Sequence, residues 1–146
     1  MKTSAMVAAS LLGVVVSSGV VAADPPVVGR WQTVDDKSGK PRSVVKTWLK
    51  DRKLFGLIEQ LNEPGGDPDA KCTKCKGDKK DQRIAGMTIL WDLTQDGDEW
   101  TGGKILDPDS GDIYKCKVKA SGDKLEVRGF LGIALIGRTQ TWRRAQ

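Results

Sequence analysis

The chain has 146 residues, with 24 Lys and Arg against 19 Asp and Glu for a formal net charge of +5, and it contains no histidine. Ser-His-Asp and Cys-His relays therefore cannot be assembled, and a closed zinc site built from four Cys and His ligands is excluded because only three cysteines are present. The length suits one domain, which buries on the order of two thirds of its unfolded surface.

The first segment, 1–23, places Lys2 before an apolar and small-residue run over 5–21 and ends in Val21-Ala22-Ala23, ahead of Asp24-Pro25-Pro26. This is the order of a secretory signal, with cleavage expected after Ala23. A retained membrane helix is disfavoured: Ser10, Gly13, Ser17, Ser18 and Gly19 interrupt the run, and spanning a bilayer takes about 20 strongly apolar residues. The expectation is a periplasmic or secreted domain over 24–146 with no transmembrane segment after signal removal. Loss of Lys2 lowers the net charge to +4.

From Val27 onward, short segments rich in β-branched and aromatic residues alternate with Gly, Asp, Ser and Pro clusters, the spacing of an all-β sandwich or barrel. Eight strands are expected, over 27–34, 42–50, 53–61, 86–94, 99–106, 112–120, 124–130 and 135–143. Alternation is clearest in 113–119, where Lys115, Lys117 and Lys119 share one face and Tyr114, Cys116 and Val118 the other. Turn residues at 96–98, 107–111 and 121–123 suit tight hairpins. Meander order invites closure, since a barrel leaves no unpaired edge. The fold class read from the sequence is an all-β, eight-stranded antiparallel up-and-down barrel.

The connection over 62–85 breaks the short-loop rule, and structureless loops beyond about 12 to 15 residues tend to be lids or binding loops. Within it, 71–83 holds Lys71, Lys74, Lys76, Lys79, Lys80 and Arg83 against Asp78 and Asp81, so this stretch carries the whole net charge of the domain. It also holds Cys72-Thr73-Lys74-Cys75. In an oxidising compartment thiols pair, and three readings compete: a local Cys72–Cys75 disulfide with Cys116 a buried free thiol, a bridge from Cys116 to either loop cysteine, or redox chemistry. The last is weakened by the lack of the strand-to-helix context of thioredoxin-type motifs.

Asp107, Asp109 and Asp112 could be read as acid-base groups, but Asp-Pro and Ser-Gly-Asp are turn vocabulary. Asp96-Gly97-Asp98-Glu99 lacks the spacing of a calcium loop. No cofactor or metal is expected. Five tryptophans against two phenylalanines and one tyrosine suit core filling or an aromatic-lined cavity. Nucleic acid is not expected as a partner, because no contiguous basic and aromatic stripe is present.

Three separated motifs carry a resemblance: Cys72-Thr73-Lys74-Cys75-Lys76-Gly77; 103–108 with Gly111 and Tyr114-Lys115-Cys116; and Arg128-Gly129-Phe130-Leu131-Gly132 leading to Gly137-Arg138-Thr139-Gln140-Thr141-Trp142. Together they resemble the bacterial exported family called domain of unknown function 2147, across essentially the whole mature chain. The resemblance implies a lipocalin-like barrel, in which Gly29-Arg30-Trp31 on the first strand packs beneath an arginine from the last. Arg138 is the better candidate for that plug with Gly29 and Trp31, and Arg143 the alternative.

The function expected is that of an exported, non-enzymatic binding protein. A small apolar or amphipathic molecule would sit in the barrel near Trp48 and Trp91, and the loop lysines would attract an anionic head group or envelope surface. The competing expectation is an envelope interaction or assembly protein whose filled barrel displays the basic loop to a partner.

Overall fold

The computed structural model describes residues 13–132 and 137–146. Eight strands form a closed antiparallel barrel in chain order: β1 (Gly29–Val34), β2 (Pro41–Lys50), β3 (Lys53–Leu61), β4 (Thr88–Asp96), β5 (Glu99–Asp107), β6 (Asp112–Ser121), β7 (Lys124–Phe130) and β8 (Gly137–Arg144). The expected strands are recovered to within a few residues. The expected eighth begins at 135, and positions 135 and 136 lie outside the described residues. Outside the strands the described chain holds one 3-10 turn, Gly77–Lys79, within the long connection.

Of the proposed signal, residues 1–12 lie outside the described residues, and 13–23 are exposed without regular structure. No helix among the described residues is long and apolar enough to cross a membrane.

Period-two burial explains the barrel. In β6, Cys116 and Val118 are buried, and Cys116 sits opposite Gly103 of β5 and Gly129 of β7. Strand β4 departs from simple alternation. Leu54↔Leu93 and Gly56↔Leu90 are both paired, so two steps on β3 oppose three on β4, and Asp92 takes the extra step at φ 62°. This bulge keeps Leu90 and Leu93 both buried, although their spacing of three would put them on opposite faces of a regular strand.

The two ends of the barrel differ. One is made by the short turns after β2, β4 and β6, with the chain entering β1 through Pro25 to Val28 folded beneath it. The other gathers the β1–β2 turn, the long connection, the β5–β6 turn and the start of β8.

Candidate functional site

The first end is closed by side chains. Trp31 has no solvent exposure, and the Arg144 guanidinium lies over its ring at 4.2 Å from the centroid. Arg144 also donates to the Pro26 and Val28 carbonyls at 2.8 and 3.2 Å. Below the indole, buried Thr47 is a hub. Its Oγ1 accepts from Trp31 Nε1 and the Gly29 N–H, each at 3.1 Å, and donates to the Val27 carbonyl at 2.7 Å. Gly29 is at φ 148°, and a Cβ there would collide with the Arg144 guanidinium. Any other residue would be strained by this backbone conformation and would push the guanidinium off its seat.

The opposite end opens into a cavity of about 510 Å³, within the range of small-molecule sites. Its walls are mainly apolar, with Ile58, Leu61, Ile89, Ile105, Val127 and Trp142 among them. Inside, the Thr33 and Ser43 hydroxyls face each other at 2.7 Å, both on buried residues. One hydroxyl donates to the other, and the pair keeps free lone pairs for a ligand O–H or N–H. Trp142 is held in the wall by its Nε1 donating to Gln140 Oε1 at 3.2 Å, while Gln140 Nε2 donates to Asp36 at 3.1 Å. Among the described residues no buried side-chain nitrogen or oxygen lacks a hydrogen-bond partner.

The rim is charged with both signs. Arg42 of β2 and Asp109 of the β5–β6 turn come from opposite sides of the ring and meet at 2.7 Å across the mouth. Burial works to lower the Arg42 pKa, but the hydrogen bond and charge of Asp109 outweigh it and hold the guanidinium more basic than usual. Arg138 and Asp36 pair at 3.2 Å. Glu63, Asp67 and Asp107 also line the opening. Among the described residues, no group of three or more Cys, Asp or Glu is placed to hold a metal ion.

Cys72 and Cys75 form a disulfide, and Cys116 is a free thiol at 1% exposure whose pKa burial pushes up to about 12. The first of the three cysteine readings is the one the structure adopts. The disulfide segment is docked on the β5–β6 turn. Cys72 Sγ lies 3.4 Å from the Pro108 carbonyl, and Gly111, at φ 73°, passes so close to the Lys74 carbonyl that a Cβ would not fit.

The model of a family described as "Uncharacterized protein conserved in bacteria (DUF2147)" matches residues 29–144. The chain belongs to this family. Among solved structures it is similar to the protein HP1028 from Helicobacter pylori, described as belonging to the lipocalin family, at 21% identity over 82% of each chain with a TM-score of 0.70. That likeness establishes a lipocalin fold. No curated protein matches the chain.

Several expected site residues of this DUF2147 barrel fall elsewhere. Arg138 is not the plug: in β8 it pairs with Gly129 at the open end, six residues or about 20 Å of strand from Arg144, which pairs with Trp31. Arg143 is exposed and pairs with Gln32. Trp48 does not line the cavity. Thr47 points inward, so its neighbour points out, where it stacks on Phe55 with centroids 5.9 Å apart. Trp91 is also outside, opposite exposed Lys104, because the bulge at Asp92 gives the interior to Leu90 and Leu93. There it seats the long connection, with Lys79 Nζ 5.7 Å from its ring centroid.

The loop lysines are placed differently. The Lys71 backbone forms an isolated β-bridge with Arg83, the Lys74 carbonyl packs against Gly111, and the Lys80 amino group pairs with Asp81 at 3.4 Å and donates to the Thr73 carbonyl. Lys76 and Lys79 line a separate outer groove. None of the five lines the cavity.

Sequence reasoning missed Arg144, Thr47, Trp142, the Thr33–Ser43 pair and the Arg42–Asp109 bridge. Only Thr47 had a local signal, a polar residue in phase with Val45 and Ser43.

Proposed function

We propose that this protein is a non-catalytic carrier or sensor that holds a small amphipathic molecule inside its barrel, in an exported compartment. One observation carries the reading: an apolar-walled cavity of about 510 Å³ with a hydroxyl pair inside and a charged rim. Apolar walls reward burial of a hydrocarbon body, the Thr33–Ser43 pair suits a hydroxyl or amide within it, and the rim keeps a polar end in water. Glu63, Asp67, Asp107 and Asp109 face Arg42 and Arg138 around the opening, which favours a neutral or zwitterionic polar end over an anionic one. Export is supported by the Cys72–Cys75 disulfide, since such bonds persist in oxidising compartments.

Trp142 makes a built-in reporter. Titration with a medium-chain alkyl alcohol is expected to give a saturable change in tryptophan emission. The change should diminish in Trp142→Phe and vanish in Ser43→Phe, which fills the cavity. Absence of saturation, or an unchanged response in Ser43→Phe with its barrel circular dichroism intact, overturns the proposal.

A further inference from the structure

Within the barrel, Ile113 and Leu131 are the large hydrophobic residues that the described chain leaves exposed, at 48% and 58%. They come from different parts of the chain, at the start of β6 and just beyond β7, yet both line one outer groove with Lys76 and Lys79. Lys115 joins them, its Nζ donating to the Gly132 carbonyl at 3.3 Å. Lys74 lies beside Gly111 on the same margin. Asp112 is the carboxylate in the groove lining, and Asp78 is in the adjoining 3-10 turn. Leu131 also lines the rim of the cavity, so the apolar and basic face borders the mouth.

We infer that this face docks the protein onto an anionic bilayer surface. Two exposed aliphatic side chains enter the interfacial region while lysines around them meet lipid phosphates, the pairing of apolar insertion with electrostatic attraction by which peripheral proteins bind membranes. An acidic protein partner would satisfy the lysines but has no use for Leu131 at the edge of the opening. A membrane does, because docking there turns the cavity mouth toward the lipid phase. The disulfide and Gly111 fix the lysine-bearing segment to the β5–β6 turn, so the charges are held beside Ile113. The choice of a bilayer over an acidic protein rests on the proposed ligand-holding cavity, whereas the placement of the lysines and the two aliphatic side chains does not.

Vesicle flotation tests it, with vesicles of phosphatidylglycerol and phosphatidylcholine against phosphatidylcholine alone. Full-length chains and chains beginning at Asp24 are run in parallel, since the exposed valines of 14–21 lie outside the barrel and could bind lipid themselves. The wild-type barrel is expected to float with anionic vesicles and to be released by salt. Lys76→Gln with Lys79→Gln should lower partitioning on the order of tenfold at low salt, and Ile113→Ser with Leu131→Ser should lower it at any salt. Unchanged urea midpoints in all of these variants, and unchanged alcohol titrations in the lysine variant and in Ile113→Ser alone, show that barrel and cavity are intact, which separates this test from that of the cavity. Failure to float, equal flotation of all variants, or a wild-type dimer that the Ile113 and Leu131 changes dissociate overturns the inference.

Discussion

Thr47→Val is the most informative single change in the closed end. Valine keeps the volume of Thr47 and removes only the hydroxyl, so packing is held constant while the hub is lost. The Gly29 N–H loses its 3.1 Å acceptor, and Trp31 Nε1 is left with the Val27 carbonyl at 3.3 Å in place of the closer Thr47 oxygen. Buried polar groups left unpaired cost about 1–3 kcal/mol each. The Val27 carbonyl loses its 2.7 Å donor and keeps Trp31 Nε1 at 3.3 Å, so one full loss and two partial losses predict about 2–4 kcal/mol, or a Tm lower by about 10 °C for a domain of this size. Thr47→Ser is the control: it keeps the hydroxyl, drops one methyl, and should cost about 1 kcal/mol. Guanidinium unfolding followed by tryptophan fluorescence measures both. A valine variant as stable as wild type, or a serine variant hurt more than the valine one, refutes the hub.

Other consequences follow from the same geometry. Arg144→Ala should destabilise by about 1–3 kcal/mol, through loss of the Trp31 stack and two carbonyl contacts, whereas Arg138→Ala should cost under about 1 kcal/mol as an exposed ion pair; equal effects would restore Arg138 as plug. Cys116 should resist a thiol reagent at pH 8 in the folded protein and react fully in denaturant, and rapid stoichiometric labelling of the native state would contradict its burial. Asp98 titrates below the usual carboxylate range because Lys119 donates to it and adds its charge. Its contribution to stability is therefore present above its unfolded pKa and lost as pH falls through the lower folded value, and Asp98→Asn should flatten the urea midpoint across that window. Both groups are exposed, so added salt should shrink the effect.

Much of the fold was legible because period-two alternation and turn residues are local. The β6 lysines and the Asp and Gly clusters set strand edges without knowledge of partners. Site residues depended on register, which is not local. Trp31 meets Arg144 because β1 pairs with the last two residues of β8, and nothing near Arg138, Arg143 or Arg144 says which of the three faces an indole more than 100 residues away in sequence. Trp48 and Trp91 misled for two reasons. Large aromatics suggest an interior, yet a threonine occupies the inward phase beside Trp48, and an unsignalled bulge at Asp92 reverses the phase at Trp91. The Thr33–Ser43 pair needed the β1–β2 register as well as the identity of both residues.

Methyl and amide NMR of the isotope-labelled protein, titrated with the same alkyl alcohol, tests the cavity reading most directly. Shifts are predicted at Ile58, Ile89, Ile105 and Val127 and at the amides of Thr33 and Ser43, with Trp48 and Phe55 on the outer wall silent. Shifts confined to the outer wall, or none at saturating alcohol, would contradict a ligand-holding barrel.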